Sequence, residues 1–166
     1  MQGSGRAESI RSSHRDPTVD DPHDLQRFLV AQEPVMVRVR AELAAGAKTT
    51  HWMWFVFPQL RALGRSSTAR HYGIADRAEA QAYATHPVLG PRLVECTRLV
   101  LGVHSRSAHD IFGSPDDLKL RSCLTLFGAV APQEPEFSEG LARYYDGRPD
   151  EHTLELLGPP ARDRRP

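Results

Sequence analysis

Apolar residues recur at three- and four-residue spacings along most of this chain, a periodicity that predicts amphipathic helices. In "DPHDLQRFLVAQ" (21–32), Leu25, Phe28 and Leu29 share a face, with Asp21 placed to cap and Pro22 at the first helical position. After Pro34, "VMVRVRAELAAG" runs to Gly46, a helix-ending residue. "DRAEAQAYATHP" carries Asp76 and Glu79 at capping-box spacing and ends before Pro87. "GPRLVECTRLVLGV" is a further amphipathic segment. "SPDDLKLRSCLTLFGAVAP" combines Ser114 as cap, Pro115 at the first position, and Asp116 and Asp117 against the positive end of the helix dipole. "PEFSEGLARYYDG" and "PDEHTLELLG" read as two shorter helices. Alternating strand pairs joined by a hairpin turn do not occur. The fold class is all-α: one compact domain of about seven or eight short helices. It is expected over 22–157, with disordered tails at 1–21 and 158–166, where few large apolar side chains offset the ordering entropy.

The segment "HWMWFVF" (51–57) breaks the pattern by being apolar all round. A lone strand would leave its backbone unpaired, so an enclosed helical turn is expected. Phe55, Val56 and Phe57 read as core. Trp52 and Trp54 are open between core and site, because a buried indole N–H needs a partner and His51, Gln59, Arg61, Ser66 and Ser67 stand nearby in sequence.

The helix beginning near Asp116 holds a second anomaly. At 100° per residue, Leu120, Cys123, Leu124, Leu126, Phe127, Val130 and Ala131 fill an arc from about 280° to 80°. Lys119 falls inside that arc, as does Asp116, while Asp117, Arg121 and Thr125 fall on the solvated side. A lysine on an apolar face is costly unless its charge is paired. Asp116, three residues earlier, is the nearest counterion, and Ser122 lies at the edge of the arc. Three readings remain: Lys119 snorkels past the core edge to a carboxylate, binds an anion with the help of the helix N-terminus, or takes a direct chemical role.

Composition narrows the function classes. Lys plus Arg and Asp plus Glu both total 21, so the net charge is zero and nucleic acid is disfavoured as a partner. Only Lys48 and Lys119 are lysines among 21 basic residues, which raises the interest of each. No apolar run is long enough for a membrane span, residues 1–21 lack the apolar stretch of a secretory signal, and Cys96 and Cys123 do not pair as metal ligands. A cytoplasmic protein with no membrane association is expected. The eight histidines show no metal-ligand spacing, so neither a metal nor another cofactor is expected. "GVHSRSAHD" reads as a polar loop, and "LGRSS" as a helix cap in preference to a phosphate loop. Both cysteines read as packing.

"DLQRFLVAQ", "HWMWFVFPQLRALGRSSTARHYGI", "EAQAYATHPVLGPRL" and "IFGSPDDLKLRSCLTLFGAV" closely resemble the bacterial family catalogued as domain of unknown function 1810. The resemblance runs from about Asp24 to Leu157 and implies a mainly helical single domain; it brings no mechanism. Cys123 and Gly128 depart from it mildly. Some members bear the label calpastatin, which fits poorly, since calpastatins are disordered inhibitor repeats.

Two function classes follow. In the first, the protein binds a nucleotide-like or phosphorylated small molecule, with hydrolysis or transfer as an extension. Trp52 or Trp54 would stack on a ring for about 1–3 kcal/mol. His51 and Gln59 would bond its edge; Lys119, Ser114, Ser66 and Ser122 would hold the anion; and Lys119, Asp116 and His51 would supply acid–base and electrostatic catalysis. In the second, the same aromatics form a non-catalytic groove for a protein or peptide. Convergence of these residues on one concavity favours the first.

Overall fold

The computed structural model describes residues 20–160. Ten α-helices account for most of this span: α1 (Gln26–Gln32), α2 (Met36–Ala45), α3 (Met53–Val56), α4 (Ser67–His71), α5 (Arg77–Thr85), α6 (Leu89–Leu101), α7 (Ala108–Phe112), α8 (Asp116–Val130), α9 (Pro135–Tyr145) and α10 (Glu151–Leu157). A 3-10 turn occupies Arg61–Leu63. The only extended pairing among the described residues is an isolated bridge between Leu60 and Ile74. The fold is all-α, with more helices than expected because α3, α4 and α7 are one-turn elements too short to show a period. Of the expected tails 1–21 and 158–166, residues 1–19 and 161–166 lie outside the described residues. Gly158, assigned to the C-terminal tail, is tied down, its carbonyl accepting from Arg77 at 2.8 Å.

α8 is the central rod, packed by α5, α7, α9 and α10, while α6 packs against α2, α5 and α9. Its enclosure explains why Thr125, expected on a solvated face, is buried: its hydroxyl accepts the Asp150 N–H at 2.8 Å where α10 begins. The aromatic core runs from Phe28 through Tyr83 to Phe127 and Phe137, with centroids 5.0, 5.2 and 6.0 Å apart. Gln32 bridges Tyr83 and the Phe55 carbonyl, so its buried amide is bonded as burial requires. Burial pushes the Cys96 thiol up to about 12 and the Cys123 thiol well above its ordinary value, which keeps both protonated as packing residues.

Several element ends follow their sequence signals. Gly46 closes α2 with φ 68°, and Asp76 caps α5 by accepting the Glu79 N–H at 2.9 Å. Two starts are corrected. Asp21 accepts the Leu25 and Gln26 N–H groups at 2.8 and 3.0 Å, so it caps α1 from across an intervening turn and Pro22 precedes the helix. α8 begins at Asp116 with Pro115 at the cap position, so Ser114 is exposed and caps nothing. The carbonyl of Gly113, at φ 71°, accepts the Asp117 N–H at 2.9 Å in its stead. Glu79 likewise leaves its expected capping box. Its carboxylate meets Arg27 and the Ala75 N–H, both at 3.1 Å.

α5 and α6 approach so closely that a Cβ on Gly90 would stand 2.2 Å from the Ala84 carbonyl oxygen. Backbone cannot yield as a flexible side chain can. Gly90→Ala is therefore expected to destabilise by about 1–3 kcal/mol, against the gain of about 1 kcal/mol the same change brings in an open helix. Urea unfolding monitored by circular dichroism reads the sign.

Candidate functional site

The two lysines of the chain converge on one carboxylate. Lys48 Nζ lies 2.9 Å from Asp116 Oδ2, and Lys119 Nζ lies 3.7 Å from Asp116 Oδ1. The Lys48 side chain is 7% exposed and that of Lys119 24% exposed, so one ammonium is sealed inside while the other borders solvent. Each also lies over an indole: Lys48 is 5.1 Å from the Trp52 ring centroid and Lys119 5.6 Å from that of Trp54. Two ammoniums against one carboxylate leave a positive charge unanswered, on the exposed side.

The loop after α2 delivers Lys48. Its backbone N–H donates to the Ile111 carbonyl at 2.8 Å, which fastens the loop to α7. Behind it, Glu42 on the buried face of α2 collects the N–H groups of Thr49 and Thr50, the Thr50 hydroxyl at 2.6 Å and the Trp52 indole N–H at 3.3 Å. Burial alone would raise the Glu42 carboxyl, but these donors outweigh it and hold it down at about 2.

This arrangement separates the two tryptophans. Trp52 is 1% exposed, its indole N–H satisfied by Glu42 and its ring packed among Phe57 and Phe112, so it has no face to offer a ligand. Trp54 is half-buried, beneath Lys119. Thr50 and Trp52 both turn inward to Glu42, and His51 between them is left exposed.

A cleft of ≈ 430 Å³ opens beside Lys119, between α4, the first turns of α8 and the start of α10. Gln59, Ser66, Lys119 and Ser122 line it, joined by Arg65, Asp150 and His152, with Leu63, Ala69, Pro115 and Leu118 as its apolar part. Ser66 caps α4 by accepting the Ala69 N–H at 3.1 Å, which leaves its hydroxyl proton free to donate. The Ser122 hydroxyl stands 3.2 Å from both the Leu118 carbonyl and Asp150 Oδ2. Asp116 reaches the cleft only through Lys119. His51, Trp52, Trp54 and Ser114 are absent from the lining.

Sequence reasoning gave Lys48 no place in the site, missed Asp150 and His152, and read the segment that holds Arg65 as a helix cap. The rarity of lysine was the available signal for Lys48. The cleft residues of α10 had none, since they meet α8 only through tertiary packing. Among the described residues, no three His, Cys, Asp or Glu side chains gather as a metal would need, and no helix is long and apolar enough to cross a membrane.

The family model described as a protein of unknown function (DUF1810) matches residues 22–157. The crystal structure of the conserved hypothetical protein Rv1873 from Mycobacterium tuberculosis is similar, with 55% sequence identity and a TM-score of 0.81 over 82% of this chain and 98% of that one. Nothing among curated proteins matches the chain.

The Glu42 knot has a pH signature. A carboxyl held at about 2 when folded and at its ordinary 4.5 when unfolded stabilises the fold above pH 4.5. That contribution is lost as pH falls from 4.5 towards 2. Glu42→Gln keeps the shape but turns an amide donor towards other donors, and is expected to cost about 1–3 kcal/mol at neutral pH. Thermal unfolding from pH 6 to pH 2 should then show a smaller acid-induced loss in the variant than in the wild type.

Proposed function

The chain belongs to the DUF1810 family of proteins of unknown function, and for this member we propose binding of a phosphorylated or nucleotide-like small molecule in the Lys119 cleft. One observation carries the reading: Asp116 is already paired with the sealed Lys48, so the Lys119 ammonium is under-compensated where it meets the cleft. Two ammoniums sharing one carboxylate, one sealed and one at the cleft, repel each other, and an incoming anion at Lys119 relieves that repulsion. Arg65 adds a second cation on the cleft wall, and the Ser66 hydroxyl adds a donor.

The cleft has the size of a small-molecule site, for which about 300–1,000 Å³ is usual, with charged groups set around an apolar part. Neither tryptophan lines the cleft: Trp54 is half-buried under Lys119, and Trp52 keeps the role of framework. Gln59 is placed to bond a ligand edge. Hydrolysis or transfer at the phosphate would draw on Lys119 to stabilise developing charge, with Asp116 holding it in place. A protein-docking face, the competing reading, would use exposed Leu118, but Leu118 stands in a concavity with charged walls.

Thermal shift with AMP, ribose 5-phosphate and pyrophosphate tests the reading. At a ligand concentration near 100 Kd the wild type should gain about 5–10 °C. Lys119→Ala, which leaves the Lys48–Asp116 pair in place, should lose that gain, and Lys119→Arg should keep part of it. A wild type unmoved by every anion, or a gain that survives in Lys119→Ala, overturns the proposal.

A further inference from the structure

The cleft is not uniformly positive. Besides the Lys119 and Arg65 cations its lining includes the carboxylate of Asp150, the N-cap of α10. The two oxygens of that carboxylate differ. Oδ2 takes the Thr153 N–H at 3.2 Å, the Thr153 hydroxyl at 2.5 Å and the Ser122 hydroxyl at 3.2 Å. Oδ1 accepts no hydrogen bond among the described residues, although its residue lines the cleft. The carboxylate is held firmly: the Asp150 N–H bonds Thr125 of α8, and Arg121 bonds the carbonyls of Arg148 and Pro149 at 2.9 and 3.1 Å. One saturated oxygen therefore fixes the side chain and leaves the other as an ordered acceptor.

A ligand that was only an anion would be repelled by this group. A ligand carrying both a phosphate and hydroxyl donors satisfies both charges. Resting on the phosphate-binding reading above, we infer that the cleft selects phosphorylated sugars, free or within a nucleotide: the phosphate lies towards Lys119 and Arg65, and sugar hydroxyls donate to Asp150 Oδ1. Asp150 is then the specificity residue, and its pairing with Ser122 and Thr153 is what orients it. A hydroxyl donating to an ionised acceptor is a strong contact, and a ligand that covers Asp150 Oδ1 without supplying a donor takes that oxygen from water with nothing in return.

Calorimetric titration of the wild type with AMP, ribose 5-phosphate, 2′,3′-dideoxy-AMP and pyrophosphate separates the two claims. AMP should bind about 10- to 100-fold more tightly than its dideoxy analogue, the worth of hydrogen bonds to a charged acceptor. This comparison needs no variant, so it is independent of folding. Asp150→Asn keeps a good capping residue but exchanges acceptor for donor. It should erase the preference for hydroxyl-bearing ligands while pyrophosphate affinity holds or rises. Tighter binding of AMP than of ribose 5-phosphate assigns a nucleotide, and equal binding assigns the sugar phosphate; both support the inference. Binding of pyrophosphate or dideoxy-AMP as tightly as AMP overturns it and leaves the phosphate site standing. An equal loss of all four ligands in Asp150→Asn also overturns it. No binding by any of the four removes both proposals.

Discussion

Asp116 is the point through which the region around the cleft is organised. Its carboxylate receives one ammonium from a loop 68 positions upstream and another from the next turn of its own helix. The first contact fixes the loop after α2 against α8. The second positions Lys119 at the rim of the interior. Neither ammonium could be lodged so close to apolar packing without the shared counterion, because an isolated buried charge is among the most costly features a fold can hold. Glu42 performs the matching task for backbone donors, gathering those of Thr49 and Thr50 so that the intervening chain can be drawn inward.

Much of this was legible in the sequence, and the reasons are physical. The apolar arc of α8, the stop at Gly46 and the Asp76 cap are local signals whose partners lie within one turn or two. The displacement of Lys119 onto an apolar face, and Asp116 as its counterion, followed from the same helical geometry. The same test would have found Glu42, which shares the inward stripe of α2 with Met36, Val39 and Leu43. It was less legible where long-range contacts decide. Lys48 meets Asp116, Arg121 holds the chain before α10, and Thr125 is covered by α10; none of these can be read from neighbours in sequence. Ser114 failed as a cap because the Gly113 carbonyl, presented by a left-handed backbone, serves the Asp117 N–H.

The two tryptophans illustrate how context divides similar residues. They stand two positions apart on either side of Met53, at the start of a single turn of helix. Trp52 faces Glu42 and the aromatic core, and its polar atom is consumed there. Trp54 emerges at the edge of the same packing and shares its surroundings with Lys119. A short helix can thus set one indole in the framework and the other beneath a lysine of the cleft. The relatedness to the mycobacterial protein, at 55% identity over nearly all of that chain, shows the overall fold to be common to both.

The scarcity of lysine has a chemical consequence. Guanidinium groups resist acylation under conditions in which primary amines react, and the chain carries 21 basic side chains of which two are amines. One of those amines is locked in an internal ion pair, and the other borders the opening beside α8. Electrophiles that would scatter over the exterior of an ordinary lysine-rich protein are thereby steered, among its side-chain amines, to the mouth of a single depression.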